Sequence, residues 1–342
     1  MLEGLSTNAT VAKIRTVFGN ALTSEDYHEM TNKTSVAELC EYLKSTERFA
    51  GVLEDVESSS VHRGYLEELI KKAGFMTYLR LVKFQGLDKN EFFKFYIKRT
   101  EILQLINFLH MYEAGLQLDY LAAVPGYVTE YSDVPLLELS GANNAGDILR
   151  ILRKTEYYKP LKRLIEKSGG EPELSSLELA VRKYYYNTVL RNARKYLSEG
   201  EAAELKRLIG IDADLINFTN AYRMKHYFGF DGDTIEKKSL PFTRLGRTKM
   251  KRLYHCETSE DMIAFMDETV YKTEESFEHI EVRNARSRLK AVRHVISTTQ
   301  SAGVALYAYT MICDIEVSNI VHIIEGIRYK ADLSEIEKEV AV

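Results

Sequence analysis

Apolar residues in the stretch 208–229 recur at the spacing of one face of an α-helix. They stand four, three and four residues apart along the chain: Ile211, Leu215, Phe218 and Tyr222. That spacing is typical of an amphipathic helix. The acid Asp214 directly precedes Leu215, and the amide Asn217 follows the acid by three residues. The stretch therefore predicts a helix that carries an acid and an amide about one turn apart.

The same pattern of apolar and polar positions occurs twice more in the chain. In each copy an acid is followed by apolar residues one, four and eight positions later, and by an amide three positions later. The pairs are Glu101 with Gln104, Asp214 with Asn217, and Glu316 with Asn319. The acids lie 113 and 102 residues apart, which exceeds the roughly 20–50 residues of a solenoid repeat. The period predicts three copies of a small helical domain, in which each pair fixes how the long helices cross.

A second motif stands ahead of each acid–amide helix. It consists of a polar helix cap, an acid three residues later, apolar residues and then a threonine. The copies are Ser35–Thr46, Asn144–Thr155 and Thr258–Thr269. A polar cap followed by an acid is typical of a helix N-terminus. Loop-forming segments at 117–139 and 229–246 separate the copies, so we predict three helical units: residues 1–125, 126–240 and 241–342.

The composition agrees with helix throughout. Of 342 residues, 45% are hydrophobic and only five are proline, too few for the many turns of a β-sandwich or barrel. No segment favours a strand over a helix, so we predict an all-α protein. The stretch 295–313 has no charged residue and approaches the length of a membrane span. Because five polar residues occur in succession at 297–301, we favour a polar turn followed by a buried helix.

The N-terminus and the cysteines indicate where the chain works. The first residues lack the basic and apolar regions of a signal peptide. Three widely spaced cysteines argue against a disulfide framework. Both features favour a reducing cytoplasm.

Motifs for catalysis and for cofactor binding are missing from the sequence. It contains no phosphate-binding loop, no dinucleotide-binding glycine motif and no Cys-x-x-Cys. A paired-metal site in a helical bundle needs two Glu-x-x-His motifs, and only Glu25–His28 matches. The eight histidines are scattered, without the partner that would activate a nucleophile. We therefore expect no catalytic residue, no bound cofactor and no metal ligand.

The charge balance is nearly even, with one local exception. A net charge of −4 argues against nucleic acid as the main partner. Five basic residues nevertheless fall within nine positions, and we call them the basic cluster: Arg244, Arg247, Lys249, Lys251 and Arg252. A solvated surface is the default interpretation of the basic cluster, and contact with an acidic partner surface is the functional one.

Two of the repeated helices carry a family likeness. The sequence Asp214-Leu-Ile-Asn-Phe-Thr-Asn-Ala-Tyr-Arg-Met-Lys-His-Tyr-Phe-Gly resembles the central motif of the C subunits of archaeal and bacterial V-type (A-type) ATPases, the counterparts of the eukaryotic V-ATPase d subunits. The sequence Glu316-Val-Ser-Asn-Ile-Val-His-Ile-Ile-Glu-Gly-Ile-Arg-Tyr-Lys is similar to the terminal motif of that family. The threefold pattern and the length are also similar, so the resemblance covers nearly the whole chain. It is weakest in residues 1–90 and at the turn Ser301-Ala-Gly.

The resemblance implies a funnel of three related helical units around a pseudo-threefold axis. It also implies a non-catalytic rotor component at the cytoplasmic face of the membrane, between the D and F subunits of the central stalk and the ring of proteolipid subunits. Torque from ATP hydrolysis would pass through it to the ring, which moves protons or sodium ions. The residues themselves leave two other functions open. One is a helical adaptor that binds peptides or proteins in a groove, and the other is an all-α metalloenzyme.

Overall fold

In a computed structural model, the chain is all-α. The structure describes residues 2–169, 172–273 and 279–342, with the backbone alone for residues 2–7. The long helices are α1 (Leu2–Gly19), α5 (Arg63–Phe84), α6 (Phe95–Glu113), α11 (Leu174–Tyr196), α12 (Glu199–Phe228), α16 (Ile280–Thr298) and α17 (Ala302–Tyr329). The short helices are α2 (Ser24–Thr31), α3 (Val36–Ser45), α4 (Ala50–Leu53), α7 (Tyr120–Ala123), α8 (Gly126–Tyr131), α9 (Ala145–Ile151), α10 (Tyr158–Lys167), α13 (Gly232–Lys237), α14 (Arg247–Tyr254), α15 (Ser259–Asp267) and α18 (Leu333–Lys338). Four 3₁₀ segments join them: Ser58–Ser60, Glu91–Lys94, Leu136–Gly141 and Leu152–Lys154. No strand occurs in these described ranges, which confirms the predicted fold class.

Six of the long helices form three antiparallel pairs, α6 with α11, α12 with α16, and α17 with α5, and α16 also packs extensively against α17. Asn284, near the start of α16, donates to the Thr219 hydroxyl near the end of α12 (2.7 Å). Arg63, at the start of α5, forms an ion pair with Glu325 near the end of α17. The end of α11 likewise lies beside the 3₁₀ segment that leads into α6, where Asn192 donates to the Glu91 carbonyl. The third pair therefore joins helices from opposite ends of the chain.

Short connections link neighbouring pairs. Helix α11 passes into α12 through Leu197 and Ser198, and a capping box between Ser198 and Glu201 begins α12. Helix α16 passes into α17 through residues 299–301. Arg15 on α1 fastens this second connection, because its guanidinium donates to three carbonyls at the end of α16 and just beyond. Because these turns are short, α12 begins beside the pair of α6 and α11, and α17 begins beside the pair of α12 and α16.

Helix α17 is the most buried helix of the chain's second half. By length and composition it could cross a membrane, but 78% of its apolar window is buried inside the protein. Residues 302–313 are all buried, and α17 packs against α1, α5, α12 and α16. The polar turn followed by a buried helix that the sequence predicts is therefore present. The lack of charge in this stretch reflects the protein core.

Two apolar cores occupy opposite ends of α17. The larger one contains the first half of α17 together with side chains from α5 to α16. The smaller one forms around Ile320, Ile323 and Ile324 near the end of α17, and its other members come from residues 22–73 and 336–340. The N-terminal short helices thus share a core with the last long helix.

Candidate functional site

Glu101 is a buried acid on α6 that collects three hydrogen bonds. The Tyr157 hydroxyl donates to its Oε2 (2.8 Å). The Ser132 hydroxyl and the Asp133 N–H donate to its Oε1 (3.0 Å each). All three donors lie in the segment that follows α6 in the chain, so this acid ties α6 to residues 132–157.

Asp214 has the equivalent role on α12. Its Oδ2 accepts from the Tyr271 hydroxyl (2.8 Å) and from the N–H groups of Arg244 (2.9 Å) and Leu245 (3.0 Å). Asp214 is completely buried, and its donors again lie in the segment that follows. The acid therefore joins α12 to the loop before α14 and to the end of the α15 segment.

Glu316 on α17 takes its partners from the beginning of the chain. The Arg48 guanidinium donates to its Oε2 through Nη2 (2.6 Å) and Nε (3.0 Å). The Leu22 N–H donates to its Oε1 (3.3 Å). Arg48 also donates to the Tyr309 hydroxyl (2.7 Å). The third acid is thus the one whose partner is charged, and both side chains of this ion pair are only 5% exposed.

The predicted threonines place these partners. Each threonine hydroxyl donates to the carbonyl three residues before it, over 2.7–2.8 Å: Thr46, Thr155 and Thr269. The residue two positions later is the partner of an acid: Arg48, Tyr157 and Tyr271. The threonine thus lies at the end of a short helical segment. The chain bends after it, so that the side chain two residues later reaches the acid on a long helix.

The amides behave alike in two of the three copies. Asn217 accepts from the Leu240 N–H (2.8 Å) and donates to its carbonyl (2.9 Å). Asn319 does the same with Ala341 (2.9 and 2.8 Å). In the first copy, the side-chain oxygen of Gln104 is buried and has no hydrogen-bond partner among the described residues. The longer glutamine side chain does not form the paired bond that asparagine makes.

We call the stretches around Thr46, Thr155 and Thr269 the threonine segments. Glu101 and Asp214 each bind the threonine segment that follows them in the chain, and Glu316 binds the first one. The bonds of Glu101 reach residues 132–157, and those of Asp214 reach residues 244–271. They cross the boundaries at 125/126 and 240/241 that the sequence predicts. The sequence pattern groups each threonine segment with the acid that follows it. The hydrogen bonds instead group the second and third segments with the acid that precedes them.

Burial dominates the electrostatics of these sites. It raises the pKa of Glu101 and of Asp214 above their ordinary values, although the hydrogen bonds that each carboxyl accepts act in the opposite direction. Burial also raises the pKa of Tyr157 and of Tyr271, and the neighbouring acids add to this. Both tyrosines therefore stay protonated and donate to the acids.

We expect Glu101→Gln to change how stability depends on pH. A carboxyl with a raised folded pKa binds its proton more tightly in the folded state, so its contribution to stability is greatest below its unfolded pKa, about 4. That contribution falls as the pH rises toward the folded pKa. The free energy of unfolding of the wild type minus that of the variant should therefore fall as the pH rises above about 4, measured by urea unfolding.

A matched control has the opposite sign. Hydrogen bonds from the Thr34 N–H and hydroxyl lower the pKa of the exposed Glu38. For Glu38→Gln the same difference should rise with pH, because the folded state releases that proton more readily. A difference that also rises with pH for Glu101→Gln would contradict the prediction.

A polar junction lies beside the three acids, near the start of α6 and near the middle of α12 and α17. Arg99, Asp212 and Asp314 each stand two residues before one of the acids. Arg99 forms an ion pair with Asp314, while Asp212 pairs with Arg288 (3.1 Å) and accepts from the Tyr186 hydroxyl (2.8 Å). Burial lowers the pKa of Arg99, but Asp314 and Asp212 raise it well above its usual range. Helices α6, α12 and α17 thus come within electrostatic reach of one another here.

The sequence pattern does not single out this junction. Its three positions are equivalent within the repeat, but they hold one base and two acids. The signal available is a charged residue two positions before every acid. A charge on the flank of a predicted apolar face usually marks solvent, so the pattern alone does not distinguish a buried ion pair.

The basic cluster lies on the surface, in the segment between Asp214 and the third helix cap at Thr258. All five of its side chains are at least partly exposed, while Met250, Leu253 and Tyr254 hold the other face of α14 in the core. The Lys251 ammonium lies 4.0 Å from the Glu236 carboxylate, and the Arg252 guanidinium lies over the Phe265 ring. The cluster is therefore a surface feature of α14 and the loop before it.

One group of side chains has the composition of a metal site. The ligand atoms of Asp233, Glu236 and His255 lie within 4.8 Å of one another. All three residues are exposed, and Lys251 already neutralises part of the charge of Glu236. We assign no metal to this surface group.

Sequence comparison identifies the family of this chain. The family described as ATP synthase (C/AC39) subunit matches residues 10–339. The chain belongs to this family. It is the family of the C and d subunits of V-type ATPases, so the resemblance in the sequence is confirmed. No curated protein matches the chain in a direct sequence comparison.

Family membership fixes the general role. The chain is an accessory subunit of a V-type ATPase or ATP synthase complex and a peripheral part of that complex. The acids and the junction residues lie on its long helices, and their hydrogen bonds and ion pairs join segments distant in the chain. These contacts can hold the long helices at fixed angles to one another.

Proposed function

We propose that this chain is the non-catalytic rotor subunit that couples the central stalk to the proteolipid ring. The D and F subunits of the stalk would bind one end and the ring the other, at the cytoplasmic face of the membrane. ATP-linked transport of protons or sodium ions would then depend on torque that passes through this subunit.

The framework of buried acids is the observation that carries the proposal. A torque coupler must resist shear between its helices. Glu101, Asp214 and Glu316 each fix a long helix through three or more hydrogen bonds to a separate segment. Hydrogen bonds to buried charged groups are stronger and more directional than apolar contacts alone. The junction of Arg99 and Asp314 adds a polar link where the helices meet.

We also propose that three units surround a pseudo-threefold axis as a funnel. A division of the chain that keeps each acid in the same unit as its hydrogen-bond partners would begin near α6. It would place residues 90–197 in one unit, 198–299 in the next, and α17 with the N-terminal residues in the third. The exposed basic cluster would contact an acidic surface of one of the partner subunits.

The test is reconstitution of the complex with and without the purified chain. Membranes that contain the ring and a soluble head, but lack this chain, should show ATP hydrolysis without ATP-driven ion uptake. Addition of the chain should bind the head to the membrane and restore uptake. Full uptake in its absence would contradict a coupling role. Binding of peptides without any effect on the ATPase would favour the adaptor function instead.

A further inference from the structure

The three acid-bearing helices end in the same way. A residue with positive φ follows each helix 14 or 15 positions after its acid: Gly115 (φ 73°), Gly229 (φ 62°) and Lys330 (φ 54°). Such a left-handed residue ends a helix and redirects the chain. Because an α-helix rises about 1.5 Å per residue, each end lies about 21 Å along the helix from its acid. The three ends are therefore equivalent points of the repeat.

Large apolar side chains are exposed beside each of these ends. We call them the helix tips: Leu116 and Leu118 after α6, Tyr227 and Phe228 at the end of α12, and Tyr329 and Leu333 around the end of α17. Their exposed fractions run from 39% at Leu333 to 72% at Leu118. Single exposed apolar residues are ordinary on a soluble protein. Pairs at three equivalent positions are not explained by the packing of the chain itself.

At the third tip, a lysine occupies a backbone conformation that favours glycine. Among the described residues, Lys330 is the one non-glycine residue with a positive φ. Residues with a Cβ are strained in that conformation. The other two tips have glycine at this point. Lys330 and the exposed Arg328 place two positive charges beside Tyr329. The local fold would favour glycine here, so the lysine points to a contact outside the chain.

We propose that the helix tips are the surface that contacts the proteolipid ring, an inference that rests on the function proposed above. A partner that touches three equivalent tips in the same way must present the same surface at several positions around one axis. A ring of identical subunits does so, whereas a stalk of two different chains does not. Tyrosine and phenylalanine beside lysine and arginine also suit a surface at the level of the lipid headgroups.

Binding to the isolated ring tests the assignment. The variants are Leu118→Ser, Phe228→Ser and Tyr329→Ser, singly and combined, measured against purified proteolipid ring in nanodiscs and against the stalk subunits. Exposed anchors at an interface centre dominate binding, so each single change should weaken ring binding about tenfold and the combination more than a hundredfold. Stalk binding should be unchanged. Phe84→Ser is the matched control and should bind the ring as the wild type does, because Phe84 is 56% exposed at the end of α5, the end that lies away from the α17 tip.

Lys330→Gly separates contact from folding. Because glycine relieves the positive φ, this variant should keep or raise the melting temperature, yet bind the ring several-fold more weakly. If the wild type binds the ring and the combined tip variant binds equally well, the tip assignment is wrong and the coupling function is unaffected. If the tip variants lose the stalk and keep the ring, the tips face the stalk and the assignment is again wrong. A wild-type chain that binds no ring would overturn the proposed function itself.

Discussion

Replacing Arg48 with methionine should destabilise the protein by about 3–5 kcal/mol, the usual cost of removing one partner of a buried ion pair. The reason is that Glu316 would stay buried without its counter-ion, while the Tyr309 hydroxyl would lose its donor. Among the described residues, the Leu22 N–H is the donor to this carboxyl that would remain. Urea unfolding at neutral pH measures the loss.

The control for this change is a second ion pair to the same helix, α17. Arg63 pairs with Glu325, but its side chain is 39% exposed, so Arg63→Met should cost less than about 1 kcal/mol. A double variant, Arg48→Met with Glu316→Leu, should recover much of the loss because no buried charge remains. Equal effects of Arg48→Met and Arg63→Met would mean that the third acid does not hold α17 to the N-terminal segment.

Phe218→Ala should uncouple the complex in which this subunit works. Phe218 is completely buried on α12, four residues after Asp214, and the buried Arg283 guanidinium lies 5.2 Å from its ring centroid. Removing a buried phenylalanine side chain costs about 3–5 kcal/mol. In the coupling role proposed above, the cavity would loosen the α12–α16 pair and leave ATP hydrolysis in the soluble head unchanged. We therefore expect the soluble head to keep hydrolysing ATP while ion pumping falls or the head detaches.

Both activities are measured on membranes that carry the variant. Phe84→Ala is the control, because Phe84 is 56% exposed at the end of α5 and its loss should cost less than about 1 kcal/mol. Stability is checked separately by thermal unfolding of the purified chain. If Phe218→Ala gave full, tightly coupled pumping, rigidity of the α12–α16 pair would not matter for torque.

The sequence predicts the helices and the repeated positions more fully than their partners. Apolar periodicity marks a helix locally, so the helix around Asp214 and its equivalents follow from spacing alone. Thr46 and its equivalents follow too, because a capped short helix is a local feature. The partners of the acids do not follow, since an arginine occupies the position in one copy and tyrosines occupy it in the others.

The grouping of segments is harder still to predict, because it depends on contacts far apart in the chain. A threonine segment is nearly as close in sequence to the acid before it as to the acid after it, so spacing gives little reason to prefer either. Tertiary contacts decide it, as when the Tyr157 hydroxyl reaches Glu101. The junction of Arg99, Asp212 and Asp314 escapes prediction for the same reason: its positions recur with the repeat, but tertiary contacts decide which of the charges pair.

The link between Arg48 and Glu316 spans 268 residues, and this has a consequence for synthesis on the ribosome. Residues 22–53 emerge early, but α17, whose isoleucines share a core with their apolar side chains, emerges nearly last. Contacts that close so large a loop form slowly and leave apolar surface exposed in the meantime. By contrast, α6 with α11 and α12 with α16 can pair as soon as each has left the ribosome. Chaperone demand during translation should therefore concentrate on the N-terminal short helices, and a nascent chain that stops before residue 302 should expose them to protease.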